Sequence, residues 1–479
     1  EKFYEYKRKG EIKKANESTD KYLDWIETKE EKLLDEIKLY NREDCESTYF
    51  LRKWLLSKKP KDSHYAIKKE PEEREKNWEK ENENYKIEIE KNCKGKKYEE
   101  ILKDILGFHK REEMLYWQSV FRRAGNKNDE DLIEDAKCIG FMEKINEELG
   151  KNSKGKEIKI FTYKFVKQDF KVKEKDNVIN ALDGDLSTYR VGKVLSIDES
   201  KKDENIIEIS TSKDLPEILS IAKDDYIGSD VIIEAIRKFV KSAAKGEKKY
   251  KATYEILKKN YPKIKNIKEG ETIIKEGDFL KESFKTVESM QNSYLYFQGP
   301  PGVGKTHTAA YIIIELIKKS KKIGITANSH KVIFNLLNKI EELAKDNFSF
   351  EGYHKCGSTP DKRFDDGKFI KNISDSKKMD MKFKTMDASL FSGTAWCFSR
   401  PACEEKLDYI FVDEAGQLTT ADIVAISLSA KNVVIIGDQM QLSSPISAVH
   451  PGESGKSLPE YLLEGKDTIS SNKGIFIDK

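Results

Sequence analysis

The spacing of apolar positions changes several times along this chain. From Glu1 to about Leu56 it is helical, with Tyr22, Leu23, Trp25 and Ile26 followed by Leu33, Leu34 and Ile37. From Ser57 to Lys97 the residues are mostly Lys, Glu and Asn, the pattern of a solvated helix or a linker. Helical spacing returns between Tyr98 and Leu149, at Ile101, Leu102, Ile105 and Leu106, then at Leu115, Trp117, Val120 and Phe121. From Glu157 to Thr211 the period drops to two: Ile158, Ile160 and Tyr163, then Val191, Val194 and Ile197, then Ile206, Ile207 and Ile209, with Asp183-Gly184-Asp185 as a turn. This stretch predicts a small antiparallel barrel. Helices resume from about Asp230 to Lys259.

From Tyr294 onward short apolar strands alternate with helices. The strands are Tyr294 to Gln298, Ile323 to Ala327, Tyr409 to Val412 and Val433 to Ile436; one helix starts near Lys305 and another carries Val332, Ile333, Leu336, Leu337, Ile340 and Leu343. Such alternation predicts an α/β fold with a parallel, doubly wound sheet. The chain therefore divides into a helical segment 1–56, a charged linker 57–97, a helical accessory segment 98–156, a barrel 157–212, a helical segment 213–285 and the α/β domain 286–479.

Composition changes this picture little. The net charge of +3 is the difference of 88 basic and 85 acidic residues, so basic faces can exist on a nearly neutral chain. Most of the basic residues are Lys, suited to contacting phosphate as a point charge, which favours sequence-independent binding. The 6 cysteines form no C-x-x-C pair, and no apolar run is long enough to span a membrane, so a reduced, cytoplasmic protein without membrane partners is expected. His354 and Cys356 are read as an incidental pair.

Candidate chemistry lies at the predicted strand ends, where open parallel sheets bind ligands. Gly299-Pro300-Pro301-Gly302-Val303-Gly304-Lys305-Thr306 satisfies G-x-x-x-x-G-K-[ST] between a strand and a helix. Glycines let backbone N–H groups wrap phosphates, Lys305 would bridge the β- and γ-phosphates of ATP, and Thr306 would give its hydroxyl to Mg²⁺. Asp413 and Glu414 end a second strand, 108 residues beyond Lys305. Asp413 would hold the hydrated Mg²⁺, and Glu414 would orient and deprotonate water. After the next strand, Gln441 is placed to sense the γ-phosphate and Asp438 to link that event to a nucleic-acid surface.

Together with Gln417, which closes Asp-Glu-Ala-Gly-Gln and joins Asp438 as a coupling residue, these motifs resemble superfamily 1 helicases. Within that superfamily they resemble the 5′-to-3′ branch, which contains the nonsense-mediated-decay helicase and the replication nuclease-helicase. The resemblance implies a RecA-like P-loop lobe preceded by a barrel like domain 1B. It makes Thr326, Asn328, Ser329, His330 and Lys331, and Thr394 and Trp396, contacts to single-stranded nucleic acid, DNA in preference to RNA. Backbone amides, hydroxyls and Lys331 can hold phosphates, and Trp396 can stack on a base.

Tyr40-Asn41-Arg42-Glu43-Asp44-Cys45, with Thr48 and Leu51-Arg52-Lys53-Trp54-Leu55, resembles the end of the RNase H-like (DEDDy-type) domain of RecB-like nucleases fused to a helicase. Phe108-His109-Lys110-Arg111-Glu112-Glu113 and the segment around Pro262 resemble the same family. The resemblance implies that Tyr40 positions the attacking water and Asp44 binds a catalytic metal; four residues apart on a helix, they share a face. The family's other carboxylates are expected upstream of Glu1. Only 34 residues follow Pro445, so the second RecA-like lobe, with the arginines that neutralise the transferred phosphoryl group, is expected beyond Lys479. Both ends read as interior to a longer polypeptide, and the chain alone is expected to bind ATP and nucleic acid, to hydrolyse ATP poorly and not to unwind. An RNA helicase of the same branch, or an ATP-gated scaffold that is not a motor, stays open as an alternative.

Overall fold

Strands that are apolar at every position can be buried only between two layers, and the last third of the chain builds such a sheet. A computed structural model of the chain describes residues 9, 10, 12, 15–58, 73–125, 129–151, 155–184, 188–200, 204–275, 277–344, 348–357, 366–441 and 446–478. It divides into two units, Glu1–Lys80 and Glu81–Lys479. In the first, the helices Ala15–Thr28 and Glu31–Lys58 pack together.

The second unit opens with a closed antiparallel barrel of β1 (Cys138–Lys151), β2 (Glu157–Val166), β3 (Asn177–Asn180), β4 (Arg190–Asp198), β5 (Glu204–Thr211) and β6 (Ile218–Lys223), in the order β1-β2-β5-β4-β3-β6. It is wider than the expected 157–212. β1 lies in the segment 98–156 expected to be helical, and β6 in 213–285. The sequence conceals β1 because neither half alternates: Cys138, Ile139, Gly140 and Met142 are buried, whereas most of Glu143–Lys151 is exposed. Within the charged stretch 57–97 the helix Glu73–Asn92 forms, and just beyond it Cys93 joins Ile89 in a core with Ala243 and Ala244.

The α/β domain is an eight-stranded sheet, β10-β9-β11-β8-β12-β13-β7-β14, parallel at every pairing. Its strands are β7 (Tyr294–Gln298), β8 (Ile323–Thr326), β9 (Gly352–Lys355), β10 (Ile370–Ile373), β11 (Leu390–Ser392), β12 (Leu407–Val412), β13 (Ala430–Gly437) and β14 (Gly474–Phe476). Successive residues face opposite cores. Ile410 and Val412 of β12, with Val433 and Ile435 of β13, meet the Asp230–Ala244 helix. Phe411, Val434 and Ile436 meet the Lys305–Lys318 and His330–Ala344 helices on the other side. This is the RecA-like α/β arrangement, with a barrel before it. Among the described residues no helix is long and apolar enough to cross a membrane.

Candidate functional site

Steric limits shape the turn after β7. A Cβ on Gly299 would lie 2.9 Å from the Ile477 carbonyl and 2.9 Å from Val303, and Gly302 and Gly304 each have φ +86°, a conformation that favours glycine. Gly304 is the N-cap of the Lys305–Lys318 helix and no side chain caps it, so the first-turn N–H groups are available to phosphate oxygens. Lys305 is buried and donates from Nζ to the carbonyls of Gly299 at 2.7 Å and Pro300 at 3.0 Å. Thr306 follows it, half-buried, while Pro300 and Pro301 are exposed.

Asp413 emerges from β12 buried, its N–H bonded to the Thr326 carbonyl at 2.9 Å and its carboxylate accepting the Glu414 N–H at 2.9 Å. Burial, and then the charge of Glu414, push its carboxyl up to about 7, while Lys305 pulls it back. Asp413 and the turn that carries Lys305 lie at the same, C-terminal edge of the sheet. Glu414 is half-buried and left-handed, with φ 48° and ψ 47°, a conformation that costs a non-glycine residue about 1 kcal/mol or more. The Thr306 hydroxyl and the Asp413 carboxylate are the hard oxygen donors that suit Mg²⁺, and a divalent cation would offset the burial cost of the Asp413 charge. When bound with a nucleotide, such an ion neutralises phosphate charge.

The third segment closes on the first two. The Gly299 N–H donates to the Gly437 carbonyl at 3.2 Å. A Cβ on Gly437 would lie 3.2 Å from the Ala415 nitrogen, and one on Gly416 would lie 2.9 Å from the Asp438 carbonyl. Asp438 is buried and accepts the Met440 N–H at 2.9 Å. Gln417 is half-buried in the Ala415–Gln417 turn, and Gln441 is half-buried at the last described position before 446. Sequence reasoning passed over Gln298, the buried last residue of β7. Its amide donates to the Asp467 carbonyl at 2.8 Å and to Gln439 at 3.2 Å, and accepts the Ile469 N–H at 2.6 Å. A polar residue ending the apolar run Tyr-Leu-Tyr-Phe was the available signal.

Beside this site lies a cavity of about 180 Å³ lined by Asn328, Thr394, Trp396, Thr419, His109 and Glu112, among others. Trp396 is 36% exposed, and its indole N–H donates to the Gly228 carbonyl at 2.8 Å. Asn328 and Lys331 are exposed, and Ser329 is half-buried. Two of the expected strand contacts are engaged within the fold. Thr326 is fully enclosed, with Oγ1 lacking a hydrogen-bond partner, because it ends β8 between β11 and β12. His330 turns inward, its Nδ1 lying 3.0 Å from His354 Nε2, and His354 Nδ1 lies 2.9 Å from the Ser392 hydroxyl.

Burial, reinforced by His330 and Lys355, lowers His354 to about 3. Between that value and the ordinary 6.5, the unfolded chain binds a proton that the folded chain does not. Stability on this account is therefore complete above 6.5 and falls as pH drops toward 3, by about 1.4 kcal/mol per pH unit at the steepest. Thermal midpoints measured from neutral pH down to about 4 are expected to fall less steeply for His354→Asn; an unchanged slope in that variant contradicts the assignment.

In the first unit Tyr40 is buried and Asp44 exposed. The buried carboxylate beside them is Glu43, which accepts the N–H groups of Lys9 at 2.6 Å and Gly10 at 3.1 Å. Among the described residues no group of three or more His, Cys, Asp and Glu side chains could hold a metal ion.

The family model for the AAA domain matches residues 281–459, and that for the RNase H superfamily matches residues 1–56. The "DNA replication ATP-dependent helicase/nuclease dna2" of Schizosaccharomyces pombe is 26% identical over 178 residues, which are 36% of this chain and 12% of that protein, so the match spans a small part of that relative's length. Among solved structures, arterivirus nonstructural protein 10 (helicase) with DNA is 17% identical, with a TM-score of 0.24, over 38% of this chain and 35% of that one. The Pif1 helicase of Candida albicans is 14% identical, with a TM-score of 0.22, over 43% of this chain and 40% of that one.

Proposed function

We propose that this chain is the ATP-binding first lobe of a superfamily 1 helicase or translocase of the 5′-to-3′ branch, joined to a RecB-like nuclease and acting on single-stranded DNA. Lys305 and the backbone N–H groups of residues 302–306 hold the triphosphate, and Thr306 and Asp413 hold Mg²⁺. Glu414 orients and deprotonates water, Gln441 senses the γ-phosphate, and Gln417 and Asp438 couple hydrolysis to the strand. Asn328, Ser329, Lys331, Thr394 and Trp396 hold that strand. In this reading nucleotide and strand binding belong to the described chain, and unwinding belongs to the whole protein. Tyr40 and Asp44 belong to the nuclease segment. The observation that carries the reading is that the turn 299–306 and Asp413 follow the C-terminal ends of β7 and β12 in one parallel sheet, on either side of β13.

Competition between matched DNA and RNA single strands for the chain tests it. DNA is expected to bind more tightly, and Trp396→Ala to weaken that binding by about 1–3 kcal/mol, roughly 5- to 150-fold, with Trp396→Phe losing less. A large preference for RNA would reject the DNA assignment. Unchanged strand affinity in Trp396→Ala would remove that residue from the track.

A further inference from the structure

The first turn of the Phe108–Gly125 helix carries polar groups that the nucleotide site does not use. Glu112 is their centre. Its Oε2 accepts the Ser447 N–H at 3.0 Å, while Oε1 accepts the Ala448 N–H at 3.0 Å and lies 2.6 Å from His450 Nε2. Arg111 donates from Nε to His450 Nδ1 at 3.1 Å, so the imidazole must carry its proton on Nε2 and donate it to Glu112. Phe108 stacks on the same ring, with centroids 4.0 Å apart and planes 17° apart. The His450 side chain is wholly buried between them.

The partners of this turn belong to the two chain segments that leave the nucleotide site. Residues 447–450 continue the segment that begins Gly437-Asp438-Gln439-Met440-Gln441. Asp422, whose Oδ1 lies 3.4 Å from His109 Nε2, sits in the Thr420–Ser427 helix, entered directly from Asp413-Glu414-Ala415-Gly416-Gln417. The turn also forms a wall of the cavity that holds Asn328, Thr394 and Trp396. Further along the same helix, Val120 is buried with Cys138, Ile179 and Ala222 of the barrel, and Tyr116 donates to Asp224 at 2.9 Å. A helix of 18 residues, about 27 Å long, is thus fixed to the barrel along one part and to both exits of the nucleotide site at its start.

We infer that Glu112 and His450 are positioning residues that couple strand binding at the cavity to the nucleotide site, by holding residues 447–450, which follow Gln441 in the chain. Packing alone fixes a distance; a carboxylate that accepts two backbone N–H groups and an imidazole N–H also fixes the direction of the backbone at 446–450, which lies in no helix or strand. Phe108 stacking keeps the ring in place, and Arg111 keeps its tautomer. The inference rests on the proposed reading of both sites.

The test is the dissociation constant of a fluorescent ATP analogue with Mg²⁺, measured with and without saturating oligothymidine. The ratio of the two is the coupling factor, which is reciprocal between ligands and is expected to be roughly 5-fold or more in the wild type. His450→Phe keeps the stacked ring and removes both hydrogen bonds; it is expected to bring the ratio to about 1 while each ligand alone binds within about 3-fold of wild type. His450→Gln, which can offer a carbonyl to Arg111 and an N–H to Glu112, is expected to restore coupling. Glu112→Gln opens the clasp from the helix side and is expected to lose coupling as His450→Phe does.

Wild-type coupling retained in both His450→Phe and Glu112→Gln overturns the inference. So does a parallel loss of both affinities and of thermal stability, the result of a purely structural staple. Wild-type protein that binds both ligands with a ratio of 1 overturns the inference alone. Wild-type protein that binds neither overturns the functional reading and the inference with it.

Discussion

Lys305→Ala is expected to lower affinity for Mg²⁺-ATP by about 100-fold while the fold survives. In the free chain the Lys305 ammonium is held by the buried Gly299 carbonyl and by the carbonyl of Pro300, an exposed residue. Losing those bonds costs about 1.5–3 kcal/mol each, offset by the burial cost of the ammonium that is removed with them, and each net kcal/mol lowers the thermal midpoint by about 2–4 °C for a domain of this size. A bound triphosphate loses the charge-assisted contribution without that offset, because the N–H groups of 302–306 carry no full charge. Lys305→Met keeps the stem and separates packing from charge. Titration with a fluorescent ATP analogue checks the result, and affinity within about 3-fold of wild type would remove Lys305 from the phosphate cradle.

Glu414→Gln is expected to do the opposite, retaining nucleotide while hydrolysis falls by about 10²- to 10⁴-fold, the usual contribution of a positioned base. Gln fits the same left-handed backbone at similar cost, so the turn after β12 is unchanged. After burial, the Glu414 charge is the largest influence raising Asp413. Removing it makes Asp413 easier to ionise, so Mg²⁺-dependent affinity is expected to hold or rise as turnover collapses. Single-turnover hydrolysis with saturating single strand reads the first effect and nucleotide titration the second. Hydrolysis within about 3-fold of wild type would show that another group activates the water.

The legible parts of this protein are those in which a local rule dictates the residue. Gly302 and Gly304 adopt positive φ, the Tyr294–Gln298 strand is apolar throughout because both its faces are covered, and Asp413 follows a strand of the same kind. What escaped depends on partners distant in sequence. β1 looked helical because its charged half projects with most of its residues exposed. β9, β10 and β11 have 4, 4 and 3 residues, too few for a period to register. Thr326 reads both as part of the Ile323–Ala327 strand and as a nucleic-acid contact, and β8 encloses it in the sheet, where its carbonyl holds Asp413. His354 acquires meaning only through His330, 24 residues before it, and Glu112 only through His450, 338 residues away. In the first helical unit, Tyr40 and Asp44 share helical spacing but not burial, and Glu43 holds the buried carboxylate.

On the proposed reading, the first turn of the Phe108–Gly125 helix holds two segments that follow the nucleotide site in the chain, residues 447 and 448 through Glu112 and the Thr420–Ser427 helix through His109 and Asp422, beside the cavity around Trp396.

The most direct measurement is the crystal structure of this chain with a non-hydrolysable ATP analogue and Mn²⁺, using the anomalous signal of the metal. The account predicts the β- and γ-phosphates within the turn 299–306 against the Lys305 ammonium, and the metal between the Thr306 hydroxyl and the Asp413 carboxylate. Nucleotide bound elsewhere, or a metal peak away from both oxygens with the 299–306 turn empty, would contradict it.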